Sequence, residues 1–236
     1  MFADVAFVMS CEHATCDVPK AWRHLFPDPT LLQSHRGWDP GAAAVARSLA
    51  RRLKAPLILG RVTRLLADAN RSAHHPHVHG EAVRRLPEPE RRAILATWHE
   101  PHQHAVIGAV EIGLAQARRV VHISCHSFTP VLDGHTRATD IGLLYDPGHG
   151  QEQELALSWQ RALTAASALR TRRNYPYRGR DDGMTRICRH RFGDAYLGLE
   201  LELNQAMLTD NEFPSELRAL VCRGLIDAVA ELTAAV

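Results

Sequence analysis

Two short apolar runs, each ending abruptly in polar residues that include a histidine, constrain this chain more than any other feature. Val5-Ala6-Phe7-Val8-Met9 gives way to Ser10-Cys11-Glu12-His13, and Val120-Val121-His122-Ile123-Ser124 gives way to Cys125-His126-Ser127. Continuous apolar runs of this length read as strands covered on both faces, the situation of a parallel sheet flanked by helices. In open α/β sheets ligands bind beyond the carboxyl ends of the strands, where His13 and His126 fall.

The segments between these runs supply the helices. Residues 40–54 read as a helix, with Asp39 available as a cap, Pro40 at the first position, and Val45, Leu49 and Leu53 at i, i+4 and i+8. Leu57-Ile58-Leu59 reads as a strand, followed by residues 61–66 as its extension or a turn. Residues 72–89, rich in His and Pro, read as a surface excursion. Residues 90–98 and 102–117 read as two helices separated at Pro101. In the second half, 141–145 and 196–203 read as strands, and 151–169 and 215–234 as helices. Strands alternating with helices predict an α/β sandwich around a largely parallel sheet. No internal repeat or long linker divides the chain, which reads as a single domain over residues 1–236.

Composition excludes several function classes. The 28 Lys and Arg are nearly balanced by 26 Asp and Glu, for a net charge of +2, whereas a nucleic-acid binder shows a basic excess. No apolar stretch reaches the length of a membrane span. Residues 1–10 carry no basic start before their apolar run and read as neither a secretory signal nor an anchor. The five cysteines show no CxxC spacing, which fits a reducing compartment, and a cytoplasmic location is expected.

A catalytic zinc takes three protein ligands and keeps one position for water. His13 and His126 supply two from distant parts of the sequence. The third calls for a carboxylate, and Glu12 and Asp39 are the candidates. Glu12 adjoins His13 and on an extended strand end points the other way. Asp39 stands at a helix entrance, where capping is an equally good use of it. Leu199-Glu200-Leu201-Glu202-Leu203 alternates strictly, so Glu200 and Glu202 share one face of a strand, as a solvated edge or as a general base with its partner. Asn70-Arg71 suits a carboxylate, through a bidentate guanidinium and an amide donor. The turn-like Asn174-Tyr175-Pro176-Tyr177-Arg178-Gly179 is a candidate binding loop. His74-His75-Pro76-His77-Val78-His79 resembles a metal tract placed in a loop. No phosphate-binding or dinucleotide glycine motif and no GxSxG elbow occurs.

Taken in order, Ser10-Cys11-Glu12-His13-Ala14, Gly37-Trp38-Asp39-Pro40-Gly41-Ala42, Asp68-Ala69-Asn70-Arg71, His126-Ser127-Phe128, Asp140-Ile141-Gly142, Asn174-Tyr175-Pro176-Tyr177 and Glu202-Leu203-Asn204-Gln205 resemble the N-formylglutamate amidohydrolase family. The resemblance spans roughly residues 5–208. It implies the fold of zinc exopeptidases, aspartoacylases and cell-wall amidases: a three-layer α/β/α sandwich on a central mixed, largely parallel sheet. It further implies one zinc ion per chain held by His13, Asp39 and His126, with Glu202 as general base and Glu200 beside it. A small N-acyl amino acid is the implied substrate, bound through Asn70 and Arg71 with Arg64, Tyr177 and Arg178 completing the site. The His-x-x-Glu pair of zinc carboxypeptidases is absent, since Cys16 stands three residues after His13. Other N-acyl amino acids, a peptidoglycan amide, or non-catalytic metal binding by the histidine loop are the competing expectations.

Overall fold

The computed structural model describes residues 4–234. In chain order the elements are β1 (Val5–Cys11), α1 (Pro29–Gln33), α2 (Ala42–Leu53), β2 (Leu57–Leu59), α3 (Glu81–Arg84), α4 (Glu88–Ile94), α5 (Glu100–Leu114) and β3 (Arg119–Phe128). There follow the hairpin β4 (Val131–Leu132) and β5 (His135–Thr136), then β6 (Ile141–Leu144), α6 (Gly150–Ala166), β7 (Thr171–Arg173), α7 (Met184–Phe192), β8 (Tyr196–Asn204) and α8 (Ser215–Ala234). Among these residues a six-stranded sheet has the order β2-β1-β3-β8-β6-β7. Strands β2, β1, β3 and β8 run parallel; β6 runs against β8 and carries β7 parallel to itself. The mixed, largely parallel sheet between helices is the fold expected from the sequence.

The two faces of the sheet differ because successive side chains alternate. On one face Met9, Cys11, Val121, Ile123, Cys125 and the four leucines Leu197, Leu199, Leu201 and Leu203 form a single apolar core with α2, α6 and α8. Each fully buried large aliphatic side chain there contributes about 1.5–3 kcal/mol. On the other face Val8, Val120 and Tyr196 pack beneath Val106 and Val110 of α5 and Met184 and Cys188 of α7. Toward the carboxyl ends this second face turns polar, through Ser10 of β1 and Glu12 just past it, Ser124 and His126 of β3, and Glu200 and Glu202 of β8, all buried.

Several local expectations change. The helix expected at 40–54 begins at Ala42, with Gly41 at its N-cap in the left-handed region (φ 78°) and no side-chain cap. Asp39 therefore does not cap it. A Cβ at Gly41 would stand 2.6 Å from the Leu208 side chain, so the turn needs glycine for space as well as for φ. Pro101 does not separate two helices. One helical path runs from α4 through a π-turn at Leu95–His99 into α5, and Pro101 sits in the first turn of α5. Within the π-turn the Glu100 N–H reaches back to the Leu95 carbonyl, a spacing that accommodates the proline ring. Strand β3 runs on through His126 to Phe128, so His126 lies within the strand instead of past its end. Strand β8 is interior to the sheet, and its glutamates are not a solvated edge. Residues 61–66 do not extend β2 and include the turn that was the alternative.

Candidate active site

His13 lies two residues beyond β1, and its carbonyl accepts a hydrogen bond from the Asp39 N–H (3.0 Å), which joins the two loops ahead of α2. The Asp39 carboxylate is thereby brought between two imidazoles. Its Oδ2 lies 3.2 Å from His13 Nδ1 and 2.9 Å from His126 Nδ1, and donor atoms of the three residues all fall within 4.8 Å of one another. The opposite nitrogen of each ring also faces a carboxylate. His13 Nε2 lies 2.7 Å from Asp68 Oδ1, and His126 Nε2 lies 3.2 Å from Glu12 Oε2. All five side chains are buried.

An imidazole between two carboxylates calls for positive charge at both nitrogens, and a neutral ring supplies only one N–H. Without a cation, a second proton on the ring meets that demand. Burial opposes charge on His126, but its hydrogen bonds to Asp39 and Glu12 outweigh that and hold its pKa well above the ordinary range. Asp39 is likewise buried, yet His13 and His126 hold it strongly acidic. A divalent cation at the two Nδ1 atoms and Asp39 meets the same demand. Two imidazoles and one carboxylate, each ring backed by a second carboxylate, form a donor set that fits zinc.

Glu202 stands opposite His126 in the β3·β8 register, and Glu200 opposite Ser124. Glu200 is tied down: its Oε1 accepts from Thr185 Oγ1 of α7 at 2.8 Å. Glu202 has no such tether, and its buried Oε2 has no hydrogen-bond partner. Burial, reinforced by Asp39 and Glu200, raises its pKa to about 8. The segment after β7 doubles back over this face, and Gly142 of β6 permits the crossing: a Cβ there would lie 2.3 Å from the Tyr175 carbonyl oxygen.

His13, Asp39, His126, Glu200 and Glu202 line one cavity of about 280 Å³, together with Arg64, Asn70, Arg71, Tyr177 and Arg178. The cavity also takes in Ser127, Asp181 and Asp182. A larger groove of about 800 Å³ lies between α2 and α8, but neither histidine nor an aspartate lines it. Arg64 bridges Asp39 (3.4 Å) and Asp68 (3.2 Å), so it is largely engaged within the protein. The Asn70 Oδ1 accepts from the Met184 N–H at 2.8 Å, which fixes its amide at the start of α7. Arg71 is one-third exposed, and its guanidinium reaches the Asp182 carbonyl at 3.4 Å. Tyr177 accepts a hydrogen bond from Arg137 (3.0 Å) and lies under its guanidinium. The Asn174 Oδ1 accepts from the Tyr145 and Gly179 N–H groups and shapes the loop that carries Tyr177 and Arg178.

The histidine loop lies apart from this cluster. His74 and His77 are exposed, while His79, expected to face solvent, is buried with its Nδ1 on the Leu66 carbonyl (2.8 Å). Among the described residues no metal-capable group of three falls there. Asp68 is the main residue that sequence reasoning passed over. Its signal was its position two residues ahead of Asn70-Arg71, in a turn with no periodicity to draw attention to it. Ser124 was also missed, although a period of two places it on the face of His126.

A model of the N-formylglutamate amidohydrolase family matches residues 5–209. The solved structure of a gene product of Agrobacterium tumefaciens superimposes with a TM-score of 0.84 at 28% identity, covering 98% of this chain and 92% of that one. An N-formylglutamate amidohydrolase from Ralstonia eutropha superimposes with a TM-score of 0.69 at 16% identity, covering 99% and 94%, a likeness of fold. No curated protein matches the sequence. No helix among the described residues is long and apolar enough to cross a membrane.

Proposed function

Because this chain belongs to the N-formylglutamate amidohydrolase family, we propose that it hydrolyses the amide of a small N-acyl amino acid, first of all N-formyl-L-glutamate, with one zinc ion at His13, Asp39 and His126. The observation that carries this reading is the convergence of both Nδ1 atoms on Asp39 beside the unpartnered Oε2 of Glu202. Zinc, when bound, acidifies water and polarises a carbonyl.

The chain's own groups do the rest. Glu202 accepts the proton of the attacking water, whose oxygen joins the acyl carbon, and then gives that proton to the departing nitrogen as the C–N bond breaks. The products are formate, or another small acid, and the free amino acid. Arg71, with Asn70 beside it, binds the α-carboxylate, and Arg178, which lines the same cavity, takes a second carboxylate. Arg64 holds Asp39 and Asp68 in position more than it grips substrate.

Formate release from N-formyl-L-glutamate should be abolished by dipicolinate and restored by added zinc. Failure to cleave any N-acyl amino acid, zinc present, removes the enzymatic reading; cleavage of N-acetyl or other amino-acid amides in preference changes only the substrate. The pH dependence follows from Glu202. It works as a base only when ionised, so kcat/KM should fall about tenfold per pH unit on the acid side of its titration. Burial raises the Glu202 pKa to about 8, and a bound cation favours the carboxylate and brings the midpoint below that. A profile with no acid limb down to the pH at which the protein unfolds would assign the base elsewhere.

A further inference from the structure

Resting on the zinc reading above, we infer that Glu12 is a positioning residue for His126: it holds the proton on Nε2, so that Nδ1 is the atom presented to the metal, and it does not enter the coordination sphere itself. Glu12 is the other carboxylate that the sequence left open as a ligand, and the proposed mechanism makes no use of it.

The placement follows from strand parity. Ser10 pairs in register with Ser124, so the even residues of β1 share a face with the even residues of β3. Glu12, one residue past β1, continues that parity and lies against Ser124 and His126, whereas Asp39 arrives from the loop ahead of α2. Asp39 Oδ2 is shared between both Nδ1 atoms, but Glu12 touches neither of them. Its Oε2 accepts from Ser124 Oγ at 2.6 Å and lies 3.2 Å from His126 Nε2. Ser124 Oγ is also 2.8 Å and Asn70 Nδ2 3.4 Å from that same nitrogen, and of these three neighbours only the serine and glutamate oxygens can accept a ring N–H. The other oxygen, Oε1, faces His102 Nε2 of α5 at 3.6 Å and has no hydrogen-bond partner.

A carboxylate side chain with no exposure is costly unless cations or donors compensate it. Here the compensating groups are His126, His102 and Ser124, and the only one shared with the proposed metal site is His126. A neutral imidazole with its proton on Nε2 presents its lone pair at Nδ1, toward Asp39. Glu12 thus fixes both the tautomer and the rotation of the ring, as carboxylates behind metal-bound histidines do.

The test is Glu12→Gln, which keeps the volume and removes the charge. Zinc affinity, read by competition with a chromogenic chelator, should fall about 10–100-fold, and the visible bands of the cobalt(II) form should keep their positions and intensity. In metal-free protein the His126 Hε2 resonance, downfield in the wild type, should move upfield. Ser124→Ala should move the same resonance, and thermal denaturation of both variants checks that they fold. Unchanged affinity together with an unmoved resonance overturns the proposal. So does loss of metal as complete as in Asp39→Asn with an altered cobalt spectrum, which would make Glu12 a ligand. If the wild type takes up neither zinc nor cobalt, the metal reading fails, and the ring resonance still decides whether Glu12 holds the Nε2 proton.

Discussion

Glu202→Gln is expected to lower kcat by about 10²–10⁴-fold while zinc content and fold stay those of the parent. The carboxamide matches the carboxyl group in size but accepts no proton, so only the proton relay is removed. Stability should hold, because burial already favours the neutral form of this side chain, with its pKa raised to about 8. The measurement is kcat for formate release alongside metal content and a thermal melt. Turnover within a few-fold of the parent would pass the role to Glu200, and Glu200→Gln would then carry the loss. Since Glu200 already accepts from Thr185 at 2.8 Å, its replacement is expected to have the smaller effect.

Arg189→Met is expected to cost about 3–5 kcal/mol of stability, a fall in Tm of roughly 6–20 °C for a chain of this size. Arg189 Nε lies 2.8 and 2.9 Å from the two oxygens of Glu152, and its other nitrogens donate to the Gly179 carbonyl (2.8 Å) and the Gly198 carbonyl (2.9 Å). Glu152 in turn accepts from the Gly198 N–H at 2.7 Å and the Asp146 N–H at 2.9 Å. One buried pair therefore ties α6, α7 and β8 to the loop that carries Tyr177 and Arg178. Removing the cation strands a fully buried carboxylate. Replacing both members, as in Glu152→Leu with Arg189→Met, should recover part of the loss, because no charge is left unpaired. A single variant melting within about 2 °C of the parent would mean that water replaces the arginine and that the clasp contributes little.

What the sequence disclosed depended on whether a residue's role left a periodic trace. Strands β1 and β3 were legible because their apolar runs have no other stable use, and α8 was delimited to the residue. Strand β7 was not, since Thr171-Arg172-Arg173 is short, polar and at the sheet's edge. Helix α7 was hidden by its basic composition, although Met184 and Cys188 lie on its buried side. The alternation of Glu200 and Glu202 was legible, but it left two readings open: a solvated edge and a covered interior strand give the same pattern until α7 and the loop after β7 are in place. The histidines and Asp39 could be singled out by chemistry, and their convergence required the fold. Glu12 was singled out as a possible ligand and stands behind His126 instead, while Asp68, which backs His13, carries no spacing that separates it from a surface carboxylate.

The π-turn ahead of α5 has a consequence for length variation. A turn of this kind holds one residue more than the regular ladder without changing the phase of the segments it joins, so loss of one residue at Leu95–His99 restores the ladder and leaves both faces where they are. Val106 and Val110 of α5 would keep their seat on the sheet, and Ile94 of α4 its place in the core around Val83 and Leu66. Loss of one residue inside the regular part of α5 would instead turn the two faces apart by about 100°. Single-residue gaps among natural sequences of this family should therefore gather at 95–99 and in the β4–β5 hairpin, and avoid α4 and α5 on either side.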